Sequence, residues 1–152
     1  MLEKVEEWIK ARGLTWRLLI MQKPTRTVAE AAALLGVSES EIVKTLIVLD
    51  NAGGVYAVVI PGDKRLNINS MKELAGKPVR LARANEVVEL TGYPVGGVPP
   101  VALPPNIVLV VDRILLSRKK VYGGGGRENA LLEFSPRELV EATGAVVADV
   151  SE

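Results

Sequence analysis

Residues 93–106, YPVGGVPPVALPPN, carry three clusters of glycine or proline within 14 positions. Proline fixes φ and lacks an amide donor, so this stretch is neither a helix nor a central strand. Around it the chain reads as short elements. Leu2, Val5, Trp8 and Ile9 recur at helical spacing up to Gly13. Residues 15–21 are rich in β-formers and close at Pro24. Thr27 caps a helical run that Gly36 ends. Ser38 and Glu41 form a capping box for a second helix carrying Ile42, Val43 and Lys44. Residues 45–61 read as a hairpin around a turn at 51–54. Asn69 caps a further helix, residues 79–82 form a short strand, and 84–92 return to helix. Residues 107–112 are a buried strand, two more strands flank a glycine-rich bend, Pro136 opens a capped helix, and 146–150 close as a strand. Six or seven strands with four to six short helices, not in strict βαβ alternation, predict an α+β fold. The expectation is one domain over residues 1–152, with a mixed, largely antiparallel, barrel-like sheet flanked by short helices.

A chain of 152 residues buries enough surface for one core, and 4% aromatic content leaves that core to Val, Leu, Ile and Ala. The sequence holds no cysteine and no histidine. That excludes disulfides, thiolate metal sites, a Ser-His-Asp triad and a histidine base, so neither metal nor cofactor is expected. Chemistry falls to Lys, carboxylates, hydroxyls, backbone amides or the substrate's own groups. A net charge of +1 argues against coating long nucleic acid, while leaving room to read a short RNA end. No secretory signal or membrane-spanning run is visible, so the cytoplasm is the expected compartment, with no membrane or DNA contact.

Three spots break local rules, and rule-breaking positions attract functional hypotheses. Lys44-Thr45 places an ammonium between apolar Val43 and Leu46, where a solvent-seeking lysine is the plainer explanation. Gly96-Gly97-Val98-Pro99-Pro100 offers close backbone approach and exposed amides that suit an oxyanion or phosphate; an ordinary crossing loop is the alternative. Gly123 to Gly126 suits a bulge or a wall against a ligand, or else a flexible hairpin tip. It is not a phosphate-binding P-loop, whose spacing is absent. The basic clusters Lys64-Arg65 and Arg118-Lys119-Lys120 read as solvated faces able to supply a few phosphate contacts.

In this order, the three spots resemble the YbaK family of aminoacyl-tRNA deacylases, which includes the editing insertion of bacterial prolyl-tRNA synthetases. SESEIVKTLIV is similar to its lysine-bearing segment, and LTGYPVGGVPPVAL to its G-x-x-x-P loop, here Gly96 to Pro100. VVDRILL, the glycine bend and LLEFSPRELVEATGAVVADV resemble its C-terminal third. The resemblance spans essentially the whole chain.

The resemblance implies trans-editing: hydrolysis of the ester of a mischarged tRNA such as Ala- or Cys-tRNA(Pro). The partners it implies are the tRNA acceptor end and an aminoacyl-tRNA synthetase. It assigns catalysis to Lys44, Gly96, Gly97 and Val98, and substrate binding to Thr45, Pro100, Gly124, Gly125 and Gly126. Two positions depart from the family pattern: Gly124 stands where relatives often carry Ser, and Asn129 where they usually carry Gly. Some family members also use a histidine, which this chain lacks. Two other readings stay open: a non-catalytic module binding tRNA ends or a synthetase, and a pocket for another small ester or a nucleotide.

Overall fold

Eight strands lie in two sheets. The computed structural model describes residues 2–152. Its first half runs α1 (Leu2–Ala11), β1 (Arg17–Ile20), α2 (Val28–Leu35), β2 (Val43–Asp50), β3 (Val55–Pro61) and α3 (Ile68–Ala75). Next come β4 (Val79–Leu81), α4 (Ala84–Thr91) and β5 (Ile107–Asp112). The chain ends with β6 (Val121–Gly124), β7 (Ala130–Phe134), α5 (Pro136–Thr143) and β8 (Val146–Ala148). The larger sheet has the order β4-β2-β3-β5-β8 and the smaller β1-β7-β6. β3–β5 and β5–β8 pair in parallel and the remaining pairs are antiparallel.

The α+β class and mixed sheet agree with the sequence, but the sheets do not close into a barrel. They meet at a bridge between Ile42 and Tyr122. A Cβ at Gly123 would stand 2.8 Å from Val43 Cγ2, so glycine permits that approach. Closure fails because the outer edge of β2 is flanked by strands too short to cover it: β4 pairs only with Val48–Asp50, and β6 ends at Gly124. That uncovered edge positions the site.

Two local expectations are corrected. The helix expected to carry Ile42, Val43 and Lys44 is a single 3-10 turn, Glu39–Glu41, and Val43 already begins β2. The Glu41 carboxylate accepts from the Ser38 amide at 2.8 Å, but the box serves one turn only. Beyond it, Ile42, Val43, Thr45, Ile47 and Val48 are β-branched and favour a strand. Asn67, not Asn69, caps α3, its side chain accepting from the Ser70 amide at 3.1 Å.

Strand alternation divides the core. On one face of β2, Val43 and Ile47 join Val5, Val98, Leu132, Phe134 and Leu139 in the main cluster. On the other, Leu46 and Val48 pack with Ile60, Met71 and Val150 beneath α3. The few aromatics contribute more than their number suggests. Trp16 stacks on Trp8 at 5.6 Å, lies 5.5 Å from Phe134, and donates its indole N–H to Glu138 at 2.9 Å. Aromatic pairs of this kind contribute about 0.5–1.5 kcal/mol beyond area burial. In the smaller sheet, buried Glu133 faces Arg17 and Tyr122 on its neighbouring strands. The Arg17 fork, at 2.9 and 3.0 Å, holds its carboxyl down to about 2, so it stays ionised at neutral pH.

Candidate functional site

A cavity of about 420 Å³ opens along the uncovered edge of β2. Residues Ile42 to Ile47 form its floor, and Thr27, Val28 and Ala31 of the α2 start form one wall. Ala82, Ala84 and Val87 close a second side, and Val95, Gly96 and Val98 with Gly123 and Gly124 close the third.

The peptide groups of β2 alternate in direction, and the hydrogen bonds fix the phase. Ile42 O accepts from Gly62 N at 2.6 Å and Asp50 N donates to Gly54 O at 3.0 Å, so even-numbered residues face β3. Odd-numbered residues face outward: Ile47 O accepts from Ala82 N at 2.9 Å. Thr45 therefore turns its N–H and C=O toward the open edge, and no strand is registered against it there. Its Oγ1 is also buried without a hydrogen-bond partner, the sole such side-chain atom among the described residues. Buried polar groups are overwhelmingly paired, so this concentration is unusual.

Lys44 stands on the opposite face of the strand from Thr45, half-buried, and both line the cavity because the edge is open. Among the described residues no carboxylate pairs with Lys44. Its ammonium is a free cation beside an apolar chamber.

The opposing loop is built from glycine contacts. Gly97 N donates to Pro94 O at 3.0 Å, closing a turn whose third residue, Gly96, has φ +83°. A type II turn needs that sign at this position, hence the glycine. A Cβ at Gly96 would stand 2.8 Å from Arg26 Cα, one at Gly97 2.9 Å from Arg127 C, and one at Gly124 2.4 Å from Val98 O. The loop is clamped by backbone on three sides. Gly126 N adds a bond to Gly97 O at 2.8 Å. Tyr93, at the loop's start, is 2% exposed and donates its hydroxyl to Ala102 O at 2.8 Å, tying the start to the far end. Ala102 has φ +56°, a strained value for alanine.

Of the expected residues, Lys44, Thr45, Gly96, Val98 and Gly124 share the cavity. Gly97 does not line it, and its amide is committed to Pro94. Gly125 and Gly126 stand behind the wall, with Gly125 N bonded to Ala130 O at 3.0 Å. Pro100 lines a separate groove beside Trp8. Asn129 lies outside the cavity and pairs with Met21, its N–H₂ donating to Met21 O at 3.2 Å. Two of the basic side chains already have partners: Arg118 donates to Ser40 O, and Lys120 pairs with Glu133 at 3.5 Å. Sequence reasoning missed the α2 wall. The Thr27–Glu30 capping box marked where α2 begins, but nothing local shows what that first turn covers.

Among the described residues no helix is long and apolar enough to cross a membrane, and no group of acidic side chains is arranged to hold a metal ion. The chain is 33% identical to YwhH of Bacillus subtilis over 115 residues, covering 76% of this chain and 73% of that protein. It is 32% identical to a proline–tRNA ligase of Geobacter sulfurreducens over 82% of this chain but only 23% of the ligase. A solved structure provisionally identified as a trans-editing enzyme for prolyl tRNA synthetase superposes with a TM-score of 0.89 at 36% identity, covering 99% of this chain and 96% of that one. The sequence profile of the aminoacyl-tRNA editing domain matches residues 22–142, and the chain belongs to that family.

Proposed function

We propose that this protein hydrolyses the ester of a mischarged tRNA in trans, with Ala- or Cys-tRNA(Pro) as the substrate type. The observation that carries the reading is the meeting of an unpaired ammonium, Lys44, with the outward strand edge and the Gly96–Val98 loop in one cavity. Its volume of about 420 Å³ falls within the usual range of small-ligand sites.

An aminoacyl ester is already activated. A water oxygen attacks the carbonyl carbon, the tetrahedral intermediate collapses, and the bond to the ribose oxygen breaks. The water's proton passes to that oxygen, leaving free amino acid and tRNA. The protein's part is placement and charge stabilisation. Gly96 and Val98 are the loop residues that line the cavity, the Gly97 amide being committed to Pro94, and their amides are assigned to the developing oxyanion. Lys44 anchors the terminal phosphate or the carbonyl as a point charge. With no histidine in the chain, the neighbouring ribose hydroxyl orients the water.

Selectivity follows from size. The apolar lining admits a small side chain, while a methylene distinguishes substrates by only about 1–3 kcal/mol. Deacylation of tRNA(Pro) charged separately with Ala, Cys, Ser and Pro tests both points. The expected outcome is turnover of small residues with Pro-tRNA(Pro) spared. Binding of all four without turnover would instead favour a non-catalytic module.

A further inference from the structure

The outward peptide group of Thr45 has no strand registered against it, and the unpaired Thr45 Oγ1 lies on the same residue. It stands between the Ile42 bridge and the first residue that β4 covers, Val48. Its N–H and C=O lie side by side on an open strand edge, the arrangement that ordinarily pairs with one residue of an antiparallel neighbour. An aminoacyl ester has the same atom order as such a residue: an amino nitrogen, a Cα and a carbonyl.

We propose that the aminoacyl group docks on this edge as a single-residue strand. Its α-ammonium donates to Thr45 O, and its ester carbonyl accepts from Thr45 N–H. Peptides add to exposed sheet edges by the same main-chain pairing. The inference rests on the deacylase reading and gives Thr45 a positioning and carbonyl-binding role through its backbone.

The pairing also sets where the amino-acid side chain goes. Directly opposed residues of an antiparallel pair project to the same face. The substrate side chain therefore falls on the face of Val43, Thr45 and Ile47, where Val43, Ile47 and Val98 pack in the main core. That face is apolar and crowded by β-branched residues, which favours a small side chain. Lys44 projects from the other face and is left free for the phosphate.

Two measurements test this. The first uses the native protein with alanyl-tRNA and lactyl-tRNA, which differ in carrying ammonium or hydroxyl on the same small frame. With each rate divided by its uncatalysed rate, kcat/KM for the lactyl ester should be about 10- to 100-fold lower, mostly through KM, as expected for losing a charged hydrogen bond. The second uses Thr45→Pro, which deletes the outward N–H without removing a β3 ladder bond, because Thr45 faces away from β3. Alanyl-tRNA hydrolysis should fall about 100-fold through kcat. If the variant does not fold, the ester comparison decides alone. Equal enhancement of both esters would overturn the docking while leaving the deacylase reading intact. No hydrolysis of either, or of any charged tRNA in the panel, would remove both.

Discussion

Lys44→Ala is expected to lower the deacylation rate about 100- to 1,000-fold, the range seen when one preorganised stabilising group is lost from an acyl-transfer site. The fold should not notice. Lys44 is half-buried, makes no ion pair among the described residues, and its main-chain bonds to β3 are unaffected by truncation. Arginine should rescue poorly. Its planar fork is larger than the ammonium and spreads the charge that a compact cation delivers to one oxygen. Single-turnover hydrolysis of alanyl-tRNA, read beside a thermal melt, checks both halves. Near-normal turnover in Lys44→Ala would remove the lysine from the mechanism. A collapse in melting temperature would make its role structural.

Gly124→Ser should be nearly as damaging, for a steric reason. Any Cβ at position 124 would stand 2.4 Å from Val98 O and 2.9 Å from Gly97 C. Those are backbone atoms of the loop that lines the cavity through Gly96 and Val98, and they cannot turn aside as a side chain would. The loop must move by several tenths of an ångström, and Tyr93, Gly126 and the Arg26 backbone resist the move. Overpacking of this sort costs about 1–3 kcal/mol of stability. The activity cost should be larger, about 100-fold, because small misplacements of reacting groups are amplified in rate. Measured kcat and melting temperature for Gly124→Ser and Gly124→Ala test this, with the two variants expected to behave alike. Activity unchanged in both variants would show that the loop has room the contacts deny.

Elements with local chemical punctuation were legible. The β2–β3 hairpin is two β-branched runs around residues 51–54, and Pro136 and Gly144 bracket α5. Lys44 was recognisable as an oddly placed charge, yet its element was misread. The Ser38–Glu41 box is a genuine helix-start signal that the following β-branched residues override after one turn. The glycines at 96, 97 and 124 announced a close approach without naming its partner. Their contacts join residues some 25 to 70 positions apart, through Arg26, Arg127 and Val98, and no local pattern encodes that. The open edge of β2 was equally hidden, because it depends on how little of that strand β4 reaches.

The central claim is that Lys44 and the Gly96 and Val98 amides hold one aminoacylated adenosine end. The most direct measurement is an amide and lysine side-chain NMR titration with the non-hydrolysable amide 3′-alanylamino-3′-deoxyadenosine 5′-phosphate. The account predicts saturable shifts at Gly96 N–H, Val98 N–H and the Lys44 side chain, with the groove around Trp8 and Ala145 silent. Shifts confined to that groove, or their absence at Lys44 and the loop, would contradict it.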